Sequence, residues 1–424
     1  YASSGVTVNL ADPSQNKGDA AGDTYTSIER IMGTRDHADT LIGDAGHNKI
    51  YGYGGADTLD GGPGNDILSY GGSPTGVSVN LTTGAVSGGH AEGDTISNFE
   101  TIEGSSYNDV LIGDEQNNSF YGHRGNDRLE GKGGNDTLNA YGGGNDFLDG
   151  GSGFDIARYR WSKHAMTINL AAPSQNTGDA AGDTYVSIEG VMGSDAYGDT
   201  IIGNASDNKL WGYGGNDTLI GAAGNDRLYG GKGNDTFVFE GPSFGQDVIE
   251  DFAAGSGKGD IIWLKYSTLT SFEKVKAQAR ASGSNTVIQF DAGNTITLRN
   301  VKPSQLHANN FKFTNGTRAR ETKENWLKVS VSGRYARFYL KNPTGSRSRS
   351  SSDWKKNGPW VADSVSPSFH CDAANGTAVN YFETVQREKV TKQNGSSFYT
   401  DWKVISTRTS TSSKSKSASS SREC

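Results

Sequence analysis

The chain has 424 residues, a formal charge of −8 and 33% hydrophobic residues, with no apolar run near the ~18 residues of a membrane-spanning helix. Glycine, at 59 residues, is about twice its usual share, while proline numbers only 9 and no Gly-x-y register appears, which excludes collagen. Charge is uneven: residues 317–424 hold 19 basic and 9 acidic side chains against 21 and 39 before them, so an acidic stretch joins a basic one near residue 317.

In chain order, the first element is VTVNLADPSQNKGDAAGDTYTSIERIMGT, Val6 to Thr34. It returns more diverged from Val77 to Ser105 and almost unchanged as MTINLAAPSQNTGDAAGDTYVSIEGVMGS, Met166 to Ser194. Its strand-like alternation and GDT turn suggest connecting coils with a few longer loops. Behind each copy an acidic or amide residue recurs every nine positions inside a glycine frame. The first block holds Asp39, Asn48, Asp57 and Asp66. The second holds Asp109, Asn118, Asp127, Asp136 and, after one inserted residue in NAYGGGND, Asp146 and Asp155. The third holds Asp199, Asn208, Asp217, Asp226 and Asp235. Two residues after each stands mostly an apolar side chain, such as Leu41, Ile50 or Leu59, so each unit predicts a turn and a very short strand. Tyr70 and Tyr159 open the second and third copies of the longer element directly after such turns, whereas Tyr1 opens the first with none before it. The expectation is at least one further nonapeptide, and another domain, upstream.

The turn composition suggests its chemistry. Glycine lets backbone carbonyls approach a ligand closely. The frame glycines are Gly52, Gly55, Gly61, Gly62 and Gly64 in the first block, and Gly122, Gly125, Gly131, Gly134, Gly150, Gly151 and Gly153 in the second. In the third they are Gly212, Gly215, Gly221, Gly224, Gly230, Gly231 and Gly233. One carboxylate with several carbonyls is an all-oxygen donor set, which suits calcium, suits zinc badly, and suits magnesium less because it demands a near-ideal octahedron.

The stretch GGPGNDILS, Gly61 to Ser69, resembles at every defined position the repeats-in-toxin nonapeptide G-G-x-G-x-D-x-U-x. Gly230 to Val238 matches too, and Gly150 to Arg158 matches except for Ala157 at the apolar position. The resemblance covers residues 1 to about 316. It implies an all-β fold, a right-handed parallel β-roll in which two units complete one coil and calcium ions sit between the turns of neighbouring coils. Bridging carboxylates then lie one coil apart: Asp39 with Asp57, Asp109 with Asp127, Asp127 with Asp146, Asp136 with Asp155, Asp199 with Asp217, and Asp217 with Asp235. Asp66 and Asp226 join this ligand set, and pairs containing Asn48, Asn118 or Asn208 lose a formal charge. The β-roll is expected over 1–239, in three parts 1–69, 70–158 and 159–239. Without calcium its carboxylate columns repel, which predicts an expanded chain able to pass a type I exporter and fold outside the cell.

From 240 to 316 the pattern changes. QDVIEDF and GDIIWL read as strands, SFEKVKAQARAS as one short helix, and NTVIQF with NTITLRNV as a hairpin. This is expected to be a β-rich cap over the last coil, and its layout is similar to the C-terminal domain of serralysin-type secreted metalloproteases. Asp247, Asp251 and Asp260 read as solvated turn carboxylates, with one more ion site as the alternative. In the basic tail, 317–424, ENWLKVSVSGRYARFYLKN suggests two strands, while SRSRSSSDWKK and STRTSTSSKSKSASSSREC are low-complexity and expected to be disordered. Both cysteines, Cys371 and Cys424, lie there.

No catalytic constellation stands out: there is no H-E-x-x-H, and GSGKGD lacks the Ser or Thr a phosphate loop needs after its lysine. His37, His47, His90, His123 and His164 read as ordinary solvated histidines. Three functions fit: a secreted calcium-binding β-roll supporting an attached domain, the C-terminal part of a serralysin-like protease or other secreted hydrolase, or an adhesive surface array. Neither a specific nucleic-acid partner nor a transmembrane segment is expected.

Overall fold

The structure, a computed structural model, describes residues 2–314 except 242, 258 and 266, and beyond them only backbone strands between 316 and 411. The chain divides into two units, Tyr1–Thr314 and Asn315–Cys424.

In the first unit most strands are three residues long, with the central side chain buried and its neighbours facing out. Strand alternation dictates this once one apolar residue stands between two polar or small ones. One coil shows how the nine-residue period becomes a solenoid. The strand Lys49–Tyr51 leads through a glycine turn to Thr58–Asp60 on the opposite face, and a second turn returns the chain to Ile67–Ser69. That strand pairs in parallel with Lys49–Tyr51, placing Leu68 beside Ile50. Repetition stacks the core residues in single file: Ile50, Leu68, Ile102, Phe120, Leu138 and Ala157 are successive register partners. Each is fully buried, and a buried Leu or Ile contributes about 1.5–3 kcal/mol.

The two faces differ. One is a single 14-stranded sheet running from Arg30–Met32 to the hairpin at residues 279–298. The other is broken into ladders of four, six and six strands. The longer repeat element makes the breaks. Its start opens a ladder, as Ser78–Asn80 pairs with Val110–Ile112 and Thr167–Asn169 with Thr200–Ile202. Its end closes the preceding one, as Thr95–Ser97 pairs with Thr58–Asp60 and Thr184–Val186 with Phe147–Ser152. The copies therefore straddle ladders, so parts beginning at 70 and 159 do not coincide with the ladder boundaries.

Close stacking of the turns leaves no room for side chains at some glycines. Gly233 has φ +151°, and a Cβ there would overlap the Gly215 carbonyl oxygen of the previous coil. Gly233→Ala should therefore cost about 3 kcal/mol or more, combining a glycine-only backbone conformation with a backbone clash. Gly257→Ala, where a Cβ meets nothing within 4 Å, should leave the thermal midpoint unchanged. Equal midpoints for the two variants in calcium would contradict this packing.

The end of this unit closes the core with aromatic rings. Phe244 lies 5.2 Å from Phe239 and 5.0 Å from Phe290 between ring centroids. The strands Gln246–Ile249 and Ile261–Lys265 enter opposite faces, forming one more coil. The stretch expected as a single helix is split: the helix spans Phe272–Gln278, capped by Ser271, and Ala279–Ser282 pairs antiparallel with Asn285–Gln289. Ala279 is buried beside Ile288, and the turn at Gly283 (φ +63°) favours the hairpin over helix continuation. Asn285–Gln289 and Thr295–Leu298 form the expected hairpin.

In the second unit, Gly316–Ser332 pairs antiparallel with Tyr335–Lys341 and with Val379–Lys392. Val379–Lys392 also pairs with Ser397–Tyr399 and Lys403–Thr411. The two strands expected in ENWLKVSVSGRYARFYLKN are the first of these pairs. The serine-rich run at 346–356, residues 412–424 and both cysteines lie outside the described residues.

Candidate metal centres

The turn carboxylates form columns linked by backbone hydrogen bonds. Asp39 N–H donates to Asp57 Oδ1 at 2.8 Å, and Asp57 N–H to Asp94 Oδ1 at 2.8 Å. In the second block Asp109, Asp127, Asp146 and Asp183 are joined in the same way at 2.8–2.9 Å. In the third, Asp199, Asp217, Asp235 and Asp260 are joined at 2.7–2.9 Å. The turns on the other edge link Asn48 to Asp66, Asn118 to Asp136 and Asp155, and Asn208 to Asp226. Between nonapeptides the bonds step 18 residues, or 19 across the inserted residue, while the last steps to Asp94 and Asp183 span 37 and that to Asp260 spans 25. This brings together the carboxylates the sequence pairs, using one oxygen of each.

The second oxygen is left over. Oδ2 of Asp57, Asp66, Asp127, Asp136, Asp146, Asp155, Asp217, Asp226 and Asp235 is buried without a hydrogen-bond partner. Native proteins rarely leave a buried polar atom unpaired, because an unpaired buried charge costs several kcal/mol. Nine in register indicate a missing ligand rather than a packing error.

The frame glycines line the space around these oxygens. At Gly52, Gly122, Gly131, Gly150, Gly212, Gly221 and Gly230 a Cβ would fall on the Oδ2 of the same turn, and at Gly61 it would meet the Asp66 side chain. Gly131 and Gly212 also face the carbonyl oxygens of Gly150 and Gly230 in the following coil. Gly55, Gly64, Gly125, Gly134, Gly153, Gly215, Gly224 and Gly233 lie against carbonyl oxygens of the preceding coil, as do Gly62, Gly151 and Gly231. Among the described residues no three His, Cys, Asp or Glu side chains converge. Each candidate centre thus combines one or two carboxylates with main-chain carbonyls, and this all-oxygen set fits calcium.

Burial, the first cause, pushes these carboxyls up in the metal-free protein. Asp127 rises to about 8 and Asp57, Asp136, Asp146, Asp217 and Asp226 to about 7, with Asp235 at about 6. Neighbouring column charges add to the rise for Asp57, Asp127, Asp136, Asp217 and Asp235. Asp66 and Asp155 are raised by burial as well.

Column heads differ from column interiors. Asp39 Oδ2 accepts from Thr34 N–H (2.6 Å) and its hydroxyl (3.0 Å), and Asp199 Oδ2 from Ser194 N–H (2.7 Å) and its hydroxyl (2.9 Å). Asp109 accepts on Oδ2 from Ser105 N–H and on Oδ1 from its hydroxyl. These three carboxylates already have protein donors on both oxygens. The contrast predicts that Asp217→Asn raises the calcium midpoint about tenfold, equivalent to about 1.4 kcal/mol. Ser194→Ala should leave that midpoint in place while costing about 1 kcal/mol of stability. Equal calcium titrations for the two variants would refute the distinction.

Column ends include residues outside the nonapeptide pattern. Asp94 Oδ2 accepts from Tyr70 Oη at 2.9 Å and Asp183 Oδ2 from Tyr159 Oη at 2.6 Å. Glu100 and Glu189 accept from Asp66 and Asp155 N–H. Asp247 and Asp260 are buried, accepting from Asp226 and Asp235 N–H, which corrects their reading as solvated. The signal for Asp94 and Asp183 was present in GDT, the same Asp-Thr step that follows the turns at Asp57 and Asp217. His123 is also more than a solvated histidine: it is partly buried, with Nδ1 3.0 Å from Tyr141 Oη.

The chain matches the family model described as the RTX calcium-binding nonapeptide repeat (4 copies), over residues 34–68, 103–138, 125–157, 194–227 and 211–241. These stretches fall in all three blocks, and RTX nonapeptide repeats bind calcium. No curated protein sequence matches the chain. Among solved structures it is similar to the extracellular lipase LipA from Serratia marcescens, at 20% identity and a TM-score of 0.20, over 52% of this chain and 45% of that one. The chain thus spans less than half of the lipase, and a likeness at that TM-score carries no argument.

Proposed function

We propose that this chain, which carries RTX calcium-binding nonapeptide repeats, is a secreted β-roll that folds when calcium fills its turns and thereby supports export and stability of an attached domain. The observation that carries the reading is the set of nine buried Oδ2 atoms without donors, all but that of Asp146 on a carboxylate that the Cβ of a frame glycine would crowd. Calcium, when bound, supplies the positive charge that these oxygens lack.

Calcium modules working outside cells bind at roughly 10⁻⁴ to 10⁻³ M. At such affinities the turns stay empty in a low-calcium cytosol and fill outside. An unfilled, expanded chain suits passage through a type I exporter, and filling locks the fold after release. Isothermal titration of the full chain tests the binding, with several calcium ions per chain expected and magnesium failing to compete. A reporter fused ahead of residue 1 tests the support: its refolding yield should rise with calcium and not with magnesium. No calcium uptake would sink the reading as a whole, whereas uptake without a gain in yield would remove only the supporting role.

A further inference from the structure

The outer face of the 14-stranded sheet collects aromatic and cationic side chains that the calcium columns do not use. The strings KIYGYGG, SFYGHRG and KLWGYGG occur once per block. In each, an outward aromatic at the strand end is followed two residues later by a second ring: Tyr51/Tyr53, Tyr121/His123 and Trp211/Tyr213. The first two pairs lie 6.1 and 6.3 Å apart between ring centroids, and Trp211 stacks on Tyr229 at 5.4 Å.

The fold does not ask for these rings. Tyr53, His123 and Tyr213 have φ of +63°, +67° and +69°, at the turn position that Gly62, Gly151 and Gly231 fill elsewhere. Holding a bulky residue there costs about 1–2 kcal/mol that glycine avoids. Trp161 is 43% exposed, yet it packs 5.7 Å from Tyr121 and 5.0 Å from Tyr141. Strained, partly exposed rings on a rigid sheet are a surface for stacking a ligand.

Charge narrows the ligand. The ten three-residue strands of this sheet from Arg30–Met32 to Arg227–Tyr229 carry five basic residues and one acidic residue, in a chain of net charge −8. Arg158 lies 4.4 Å over Trp161. Arg30 and Lys209 also lie over rings, and among the described ion pairs neither they nor Arg158 meets a carboxylate. At about 4.8 Å per strand, the three ring pairs are spaced about 14 and about 19 Å apart, and Arg30 and Arg158 about 29 Å apart. Cations this sparse match a polymer of mostly neutral rings with occasional carboxylates. A nucleic acid would meet too few of them for its charge density.

We propose that this face binds an acidic polysaccharide, with sugar rings stacked on the aromatic pairs and uronate carboxylates meeting Arg158, Lys209 and Arg30. Three of its rings, Tyr53, His123 and Tyr213, are carried by the turns themselves, but the proposal does not require those turns to act as a folding switch. The test is affinity electrophoresis of the full chain in saturating calcium, through gels containing hyaluronan, dextran or poly(dT). Hyaluronan should retard the protein, less so as salt rises, while dextran should not. Trp161→Ala and Arg158→Gln should each weaken retardation at least about tenfold with unchanged circular dichroism, and Lys312→Gln, on the opposite face, should have no effect. Absence of retardation by hyaluronan overturns the proposal. So does undiminished retardation of the Trp161 and Arg158 variants, which would assign binding to the basic residues after 316. Retardation by poly(dT) that those variants abolish would overturn it in favour of a nucleic-acid surface.

Discussion

Chelating calcium at pH 7.5 should abolish most of the β signal of residues 1–314, and adding calcium back, but not magnesium, should restore it. The nine Oδ2 atoms sit beneath the surface with no donor. Relaxation and water entry reduce the cost of each buried charge, but if only about 1 kcal/mol remains apiece the total is about 9 kcal/mol. A typical domain has about 5–15 kcal/mol of net stability, so the metal-free fold has little or none to spare. If calcium stands about tenfold above its dissociation constant, each occupied site returns about 1.4 kcal/mol. Far-UV circular dichroism in EGTA is the direct readout. A full β spectrum there would mean that strand stacking alone holds the coils, and the switch would have to be given up.

The pH dependence of stability should have opposite signs with and without calcium. Unfolded Asp titrates near 3.9, whereas in the metal-free fold burial raises Asp57, Asp136, Asp146, Asp217 and Asp226 to about 7 and Asp127 to about 8. Between about pH 4 and pH 8 the folded state therefore holds more protons than the unfolded one. Stability of the metal-free fold then falls as pH rises through that window, and acidification in EGTA should recover β structure. With calcium the order reverses, because protons compete for the oxygens the ion needs, and stabilisation fades as pH drops below about 7. Thermal midpoints from pH 5 to 8, with calcium and with EGTA, should cross. Parallel curves would show that the column carboxylates do not govern folding.

Much of this was legible because one residue type recurs for one physical reason. An Asp every nine positions, followed two residues later by Leu or Ile, specifies turn, strand and core in a unit short enough to read by eye. The coil-to-coil pairing of Asp127 with Asp146 was readable even across the inserted residue in NAYGGGND. What period alone could not reveal is how a column ends. Asp94 and Asp183 terminate columns from inside the longer element, and only the fold brings Tyr70 and Tyr159 beneath them. The protein donors on Asp39 and Asp199 likewise come from Thr34 and Ser194, outside the nonapeptide. The helix read through SFEKVKAQARAS stopped early because Ala279 gains a buried place beside Ile288, a tertiary gain that local propensity does not contain. The rings at Tyr53, His123 and Tyr213 were visible in the sequence, but their shared face and left-handed backbone were not.

The unequal faces also set how the solenoid would bear a pull along its axis. Backbone hydrogen bonds between coils run along that axis, so successive coils are springs in series. Inside a block two ladders share the load in parallel. Where the ladder ending in Thr95–Ser97 gives way to the one opened by Ser78–Asn80, and again between Thr184–Val186 and Thr167–Asn169, the long sheet is the only one of these ladders to run through. Those two junctions are the compliant points of the rod, where it bends first and where, stretched far enough, it parts.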